Sequence, residues 1–180
     1  MVKITKTGEG PSPSGGLSDD QLRTIGRIAV AYGYLEFATL LILATLIHED
    51  TDRGIRLVAG DQLHQQLERI GRLIGMRSQS LDIEIRTAIE RWLSDANKVR
   101  EQRNRVFHSI WMAGIDKGPA TRLRYRKGQA DFDDISDEQL SRVVDALESV
   151  IMTGYELLDR LRGVGQTVEI DPDDIPLDDS

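Results

Sequence analysis

Apolar positions dominate residues 18–47, and between Ile28 and Ile47 the single charged residue is Glu36. Ser18 as N-cap, followed by Asp19 and Asp20, predicts the start of a helix, because side-chain oxygens and negative charge satisfy its free N–H groups. Twenty such residues could nominally span a bilayer. Glu36 near the middle, beside Tyr32, Gly33 and Tyr34, favours a buried central helix instead. Ile25, Ala29, Tyr32, Glu36, Thr39, Leu43 and Leu46 recur at spacings 4, 3, 4, 3, 4, 3, which puts Glu36 on the apolar seam. Residues 61–76 read as a shorter amphipathic helix through Leu63, Leu67, Ile70 and Ile74, with a single turn near 55–58 before it. A third helix over 81–110 carries the most regular seam: Ile85, Ile89, Trp92, Ala96, Val99, Arg103, Val106 and Ile110. Such a face belongs to an antiparallel bundle. One of its members is an arginine.

Asp116-Lys117-Gly118-Pro119 signals a turn. After it, Thr121, Leu123 and Tyr125 alternate with Arg122, Arg124 and Arg126 as in a half-exposed strand, and residues 110–114 could pair with it in a short hairpin. A last helix begins at the Ser136-Asp137-Glu138 cap and runs to about Arg162, burying Leu140, Val143, Val144, Leu147, Val150, Ile151, Leu157, Leu158 and Leu161. The expected fold is therefore all-α, an antiparallel four- to five-helix bundle with a short β-hairpin insertion before the last helix. The folded domain covers residues 18–163. Residues 1–17 are rich in Gly, Pro and Ser without the apolar stretch of a signal peptide, and residues 164–180 are polar and acidic, so both ends are expected to be disordered. The expected location is cytoplasmic, with no membrane partner.

Composition narrows the chemistry. The chain has 180 residues and no cysteine, which excludes disulfides, thiolate nucleophiles and sulfur-ligated zinc or iron–sulfur sites. Its net charge of -7 would ordinarily repel nucleic acid. The distribution says otherwise. Residues 164–180 hold six acids and no base, while residues 98–127 hold nine bases against Glu101 and Asp116, a net of +7. Residues 128–163 hold nine acids and three arginines, a net of -6.

The basic segment contains Arg103-Asn104-Arg105-Val106-Phe107-His108. This resembles the Arg-x4-His motif of the HEPN superfamily, in which a polar residue such as Asn104 commonly follows the arginine. The setting is similar too: a helical bundle, the motif near the end of a long helix, a hairpin-like insertion and a closing helix. The resemblance implies a metal-independent endoribonuclease without a cofactor, a toxin or phage-defence component that leaves 2′,3′-cyclic phosphate and 5′-hydroxyl ends. His108 would act as acid and base, Arg103 as phosphate ligand and Asn104 as orienting residue. A homodimer is implied, with RNA as substrate and an antitoxin or other protein as partner. The alternative is a non-catalytic HEPN-like dimeric bundle that binds a partner protein or nucleic acid.

The residue types support that chemistry separately. Imidazole, with an unperturbed pKa of about 6.5, moves protons both ways near neutrality. Guanidinium offers a planar fork to phosphate oxygens. At about 100° per residue, Arg103 and His108 lie about 140° apart, with Arg100 and Asn104 between them. One copy would clamp a phosphate between them only if the helix ended or bent; otherwise a second copy completes the site. Arg100, Arg105, Arg122, Arg124 and Arg126 could line an RNA-binding groove, with Tyr125 and Trp111 stacking on bases. Arg103 also has a structural reading, because a charge on an apolar seam needs a partner, and Glu36 on the first helix is the expected one. Neither His64 with Glu68 nor His48 with Glu49, Asp50 and Asp52 has the ligand set of a transition-metal site, and no Gly-rich phosphate loop or nucleophile elbow is present.

Truncation after Gly163 should strengthen RNA binding at low salt, where electrostatic competition from the acidic tail is least screened. Filter binding of full-length and truncated protein at two salt concentrations checks this; equal affinities would reduce the tail to a solubilising end.

Overall fold

The computed structural model describes residues 17–48, 50–76, 81–112, 120–126 and 129–163. The segments expected to be disordered therefore lie outside the described residues, apart from Leu17, as does the 116–119 turn. The fold is mostly helical: α1 (Asp19–Ile47), α2 (Thr51–Val58), α3 (Leu63–Met76), α4 (Ile83–Phe107) and α5 (Asp137–Gly163), with strands β1 (Ile110–Met112), β2 (Ala120–Arg126) and β3 (Gln129–Ile135) between the last two helices.

Helix α1 starts at Ser18 through a capping box, the Ser18 hydroxyl accepting from Gln21 N–H while the Gln21 side chain accepts from Ser18 N–H. The Gln21 amide also donates to Asp137 at the start of α5, joining the two helix beginnings. α1 packs on α5, α2, α3 and α4. In its first half the buried line is Gln21, Ile28, Ala31 and Leu35, one position earlier than the expected seam, whereas Thr39, Leu43 and Leu46 of that seam are buried along with Ala38 and Ile42. One residue is about 100° of rotation. Ala29 and Glu36 consequently lie at the surface, while Tyr32 is half-buried.

The α4 seam is as expected. Ile85, Ile89, Trp92, Ala96, Val99 and Val106 are buried and Arg103 is half-buried, whereas Ile110 lies beyond the helix end and is exposed. Trp92 Nε1 donates to the Val150 carbonyl at 2.9 Å, satisfying the indole inside the core. The α5 positions expected to be buried are buried, except Val143, which is partly exposed. The segment before α3 forms a full eight-residue helix, α2, capped by Asp50, and Gly60, at φ 102, supplies the left-handed residue in the turn after it.

The insertion is larger than a hairpin. β1 pairs with β2 and β2 with β3, all antiparallel. β3 was not expected because Gln129–Ile135 carries three aspartates, residues that disfavour strands. Across the ladder, Asp133 stands opposite Arg122 and Asp131 opposite Arg124, so residues of opposite charge occupy facing positions.

Gly54 packs α2 directly onto the α1 backbone: a Cβ there would lie 2.9 Å from Ala44 Cα and closer still to its carbonyl. Gly54→Ala should therefore destabilise the protein by about 3 kcal/mol, the upper end for overpacking because backbone must yield, despite the better helix propensity of alanine. Urea unfolding of wild type and variant measures this.

Candidate functional site

The C-terminal turns of α4 bring several cations to the α1 surface. Arg103 sits between two aromatic rings, its Cζ 4.4 Å from the Tyr32 centroid and 4.5 Å from the Phe107 centroid. Phe107 is four residues on from Arg103, one helical turn, so its ring returns over the same face. Each such contact contributes about 0.5–2 kcal/mol depending on desolvation. Arg103 Nη1 also donates to Asn104 Oδ1 at 3.2 Å. The fork is thus held by a neighbour's amide and two ring faces.

The expected Arg103–Glu36 ion pair is not formed: no salt bridge joins them, and Glu36 is exposed. The rotation of α1 explains this, since it presents Tyr32 to Arg103 and turns Glu36 toward water. Glu36 remains near enough to act on Tyr32. Burial pushes the Tyr32 phenol above its ordinary value of 10.0, Glu36 adds to the rise, and Arg103 and Arg100 oppose it. The phenol therefore keeps its proton at neutral pH.

His108 is the C-cap of α4, exposed, with its backbone N–H donating to the Asn104 carbonyl at 3.0 Å. The helix ends at Phe107, one of the conditions under which a single copy could use Arg103 and His108 together. The Nε atoms of Arg100 and Arg103 are buried and have no hydrogen-bond acceptor. A buried donor left unpaired costs about 1–3 kcal/mol.

The strand arginines are arranged differently from the expected groove. Arg122 is 7% exposed, forms a salt bridge with Asp133 and donates to the Arg105 carbonyl. It ties the sheet to α4 and is not a free phosphate contact, because β3 supplies the counter-charge. Arg124 stands opposite Asp131 in the ladder, Arg105 is exposed on α4, and the side chains of Tyr125 and Arg126 lie outside the described residues. Trp111 is half-buried and its Nε1 donates to the Val106 carbonyl at 3.1 Å, which makes it a packing residue at the helix end. His48 Nδ1 accepts from Asp50 N–H, and His64 is exposed on α3. Among the described residues no cluster of three His, Asp or Glu side chains suited to a metal occurs.

Tyr32 and Phe107, the rings that flank Arg103, are not singled out as a pair by the sequence. The i, i+4 spacing of Phe107 from Arg103 was a usable signal; the approach of Tyr32 was not, because it depends on the rotation of α1. No family model, curated protein or solved structure matches the chain.

Because the Tyr32 phenol is raised in the folded state, folding holds its proton beyond the range in which the unfolded chain releases it. Its contribution is complete below the unfolded value and is lost as pH rises through the folded one. Unfolding of wild type relative to Tyr32→Phe should show a stability difference that is flat below about pH 9 and declines above about pH 10, where unperturbed tyrosine ionises.

Proposed function

We propose that this protein is a HEPN-like bundle that binds RNA phosphate at Arg103 and Arg100 and cleaves the chain with His108, without a metal or other cofactor. The observation that carries the reading is the Arg103 fork held between Tyr32 and Phe107, with its Nε and that of Arg100 buried and unpaired, close in sequence to an exposed histidine at the helix end. A guanidinium fixed in this way loses little rotamer freedom on binding phosphate. In the reaction, the ribose 2′-oxygen attacks the adjacent phosphorus as its proton leaves, and the bond to the 5′-oxygen breaks as that oxygen is protonated. His108 serves as one of these proton carriers, Arg103 neutralises charge on the phosphoryl oxygens, and Asn104 orients Arg103. The products are a 2′,3′-cyclic phosphate and a 5′-hydroxyl.

The same reading assigns a homodimer in the cytoplasm and a role as toxin or phage-defence component held in check by an antitoxin or similar partner. Arg122 is left out of the RNA contact because Asp133 neutralises it. A second reading, a non-catalytic bundle whose task is to dock a partner, is favoured by one separate observation: an exposed apolar face along α1, with Val30 and Phe37 at the surface.

Purified protein incubated with structured and unstructured RNA in the presence of a chelator should cleave, and His108→Ala should lower the rate about 10²- to 10⁴-fold, the usual contribution of a positioned acid or base. Arg103→Lys keeps the charge but loses the fork and stacking, and a loss of about 10²-fold is expected. Equal cleavage by wild type and His108→Ala, or none from either, would leave the binding reading in its place.

A further inference from the structure

We propose that the outer face of the sheet is a base-stacking platform for single-stranded RNA, with Phe132 as its aromatic anchor. The proposal rests on the reading above that the chain binds RNA, and extends it from phosphate to bases. An amphipathic strand of an antiparallel sheet ordinarily turns its apolar side to the core. β2 does the reverse. Arg122 is 7% exposed and donates to the Arg105 carbonyl of α4. Trp111, its partner in register on β1, donates to the Val106 carbonyl. The face that carries both is therefore the one applied to the bundle.

Successive strand residues alternate sides, so Leu123 lies on the opposite, outward face. The register sets Ile110 of β1 on one side of it and Phe132 of β3 on the other. Ile110 is 57% exposed, Phe132 56%, and Leu123 is half-buried. An apolar row thus crosses all three strands in contact with water. In the neighbouring row on the same face, the Thr121 hydroxyl donates to Asp134 at 2.7 Å.

Area, charge and position select a nucleobase as the occupant. Strands lie about 4.8 Å apart, so the row measures about 10 Å from Ile110 to Phe132. The whole outer face, three strands wide and seven residues long, covers roughly 300 Å², whereas a stable protein interface takes about 800 Å² from each partner. A base needs only one ring to stack on. Asp134 repels phosphate from this face, so the uncharged part of a nucleotide is the part that fits there. Its carboxylate also accepts from the amino and imino hydrogens of a base edge. His108 precedes Ile110 by two residues, at most about 7 Å of chain. RNA with a phosphate at His108 accordingly brings its neighbouring bases to the sheet.

Fluorescence anisotropy of a short, labelled single-stranded RNA with the full-length protein tests this, in a His108→Ala background so that binding is read without cleavage. Phe132→Ala should weaken binding about 10-fold, within the range for one stacked base. The factor should be the same at low and high salt, because stacking releases no counterions. Phe132→Trp, which keeps a ring, should bind as the parent does, and Phe132→Leu, apolar without a ring, should bind as Phe132→Ala does. An abasic oligonucleotide of the same length should bind the parent and Phe132→Ala equally. Phe132 is more than half exposed, so these variants should keep the parent's thermal unfolding midpoint. Affinity unchanged by Phe132→Ala would overturn the platform and leave the face to a protein partner, while the RNA reading stands. An effect that grows as salt falls, or full affinity in Phe132→Leu, would overturn it as well. RNA that binds to none of the proteins removes both readings. Binding that depends on the Phe132 ring in a chain whose wild type does not cleave would sustain the platform and remove only the catalytic reading.

Discussion

Helix α1 has more apolar surface than it can bury against any single neighbour, and the arrangement of the other helices follows from covering it. α2, α3, α4 and α5 all contact it, and its line from Ile28 through Leu35 to Ile42 is fully enclosed. Burial at about 25 cal/mol per Å² makes this the main favourable term available to a chain without disulfides. Gly54 lets α2 approach the α1 backbone more closely than any side chain would permit. The turn of α1 that buries one face also decides what its remaining faces do: one presents Tyr32 to α4, and another leaves Val30 and Phe37 at the surface.

That rotation solves the problem posed by an arginine on the α4 seam. Full burial of a guanidinium without a partner would be prohibitive, and a buried ion pair with Glu36 would have carried two desolvation costs. The structure instead places Arg103 near the bundle surface between Tyr32 and Phe107. Rings cover the cation's faces, and its Nη1 donates to Asn104 rather than to a carboxylate. The contacts that stabilise the charge are the same ones on which the proposed phosphate site rests.

The basic segment is divided by the sheet. Arg122 and Arg124 face aspartates of β3 across the ladder, and Arg122 additionally holds the sheet to the Arg105 carbonyl. Part of the segregated charge visible along the chain is therefore paired in space, Arg122 with Asp133. Arg100, Arg103 and Arg105 of α4 lie outside that ladder. A strongly basic stretch is accordingly a poor guide to a binding groove when an acidic stretch follows it at hairpin distance.

The helices of the core, their caps and the seam of α4 were legible in the residues because helical periodicity and N-cap chemistry are local: Ser18, the run from Ile85 to Val106, and Leu140 to Leu161 specify their own elements. So was the coincidence of Arg103, Asn104 and His108 near a helix end. The rotation of α1, the existence of β3 and the fates of Arg103 and Arg122 were decided only in the tertiary structure. Two interleaved apolar lines on α1 differ by one residue, and local pattern does not choose between them; packing against the other helices buries both after Ala38 and only the earlier one from Ile28 to Leu35. Three aspartates speak against a strand until Arg122 pairs with Asp133 and the Thr121 hydroxyl donates to Asp134, and those partners come into register only when the sheet forms.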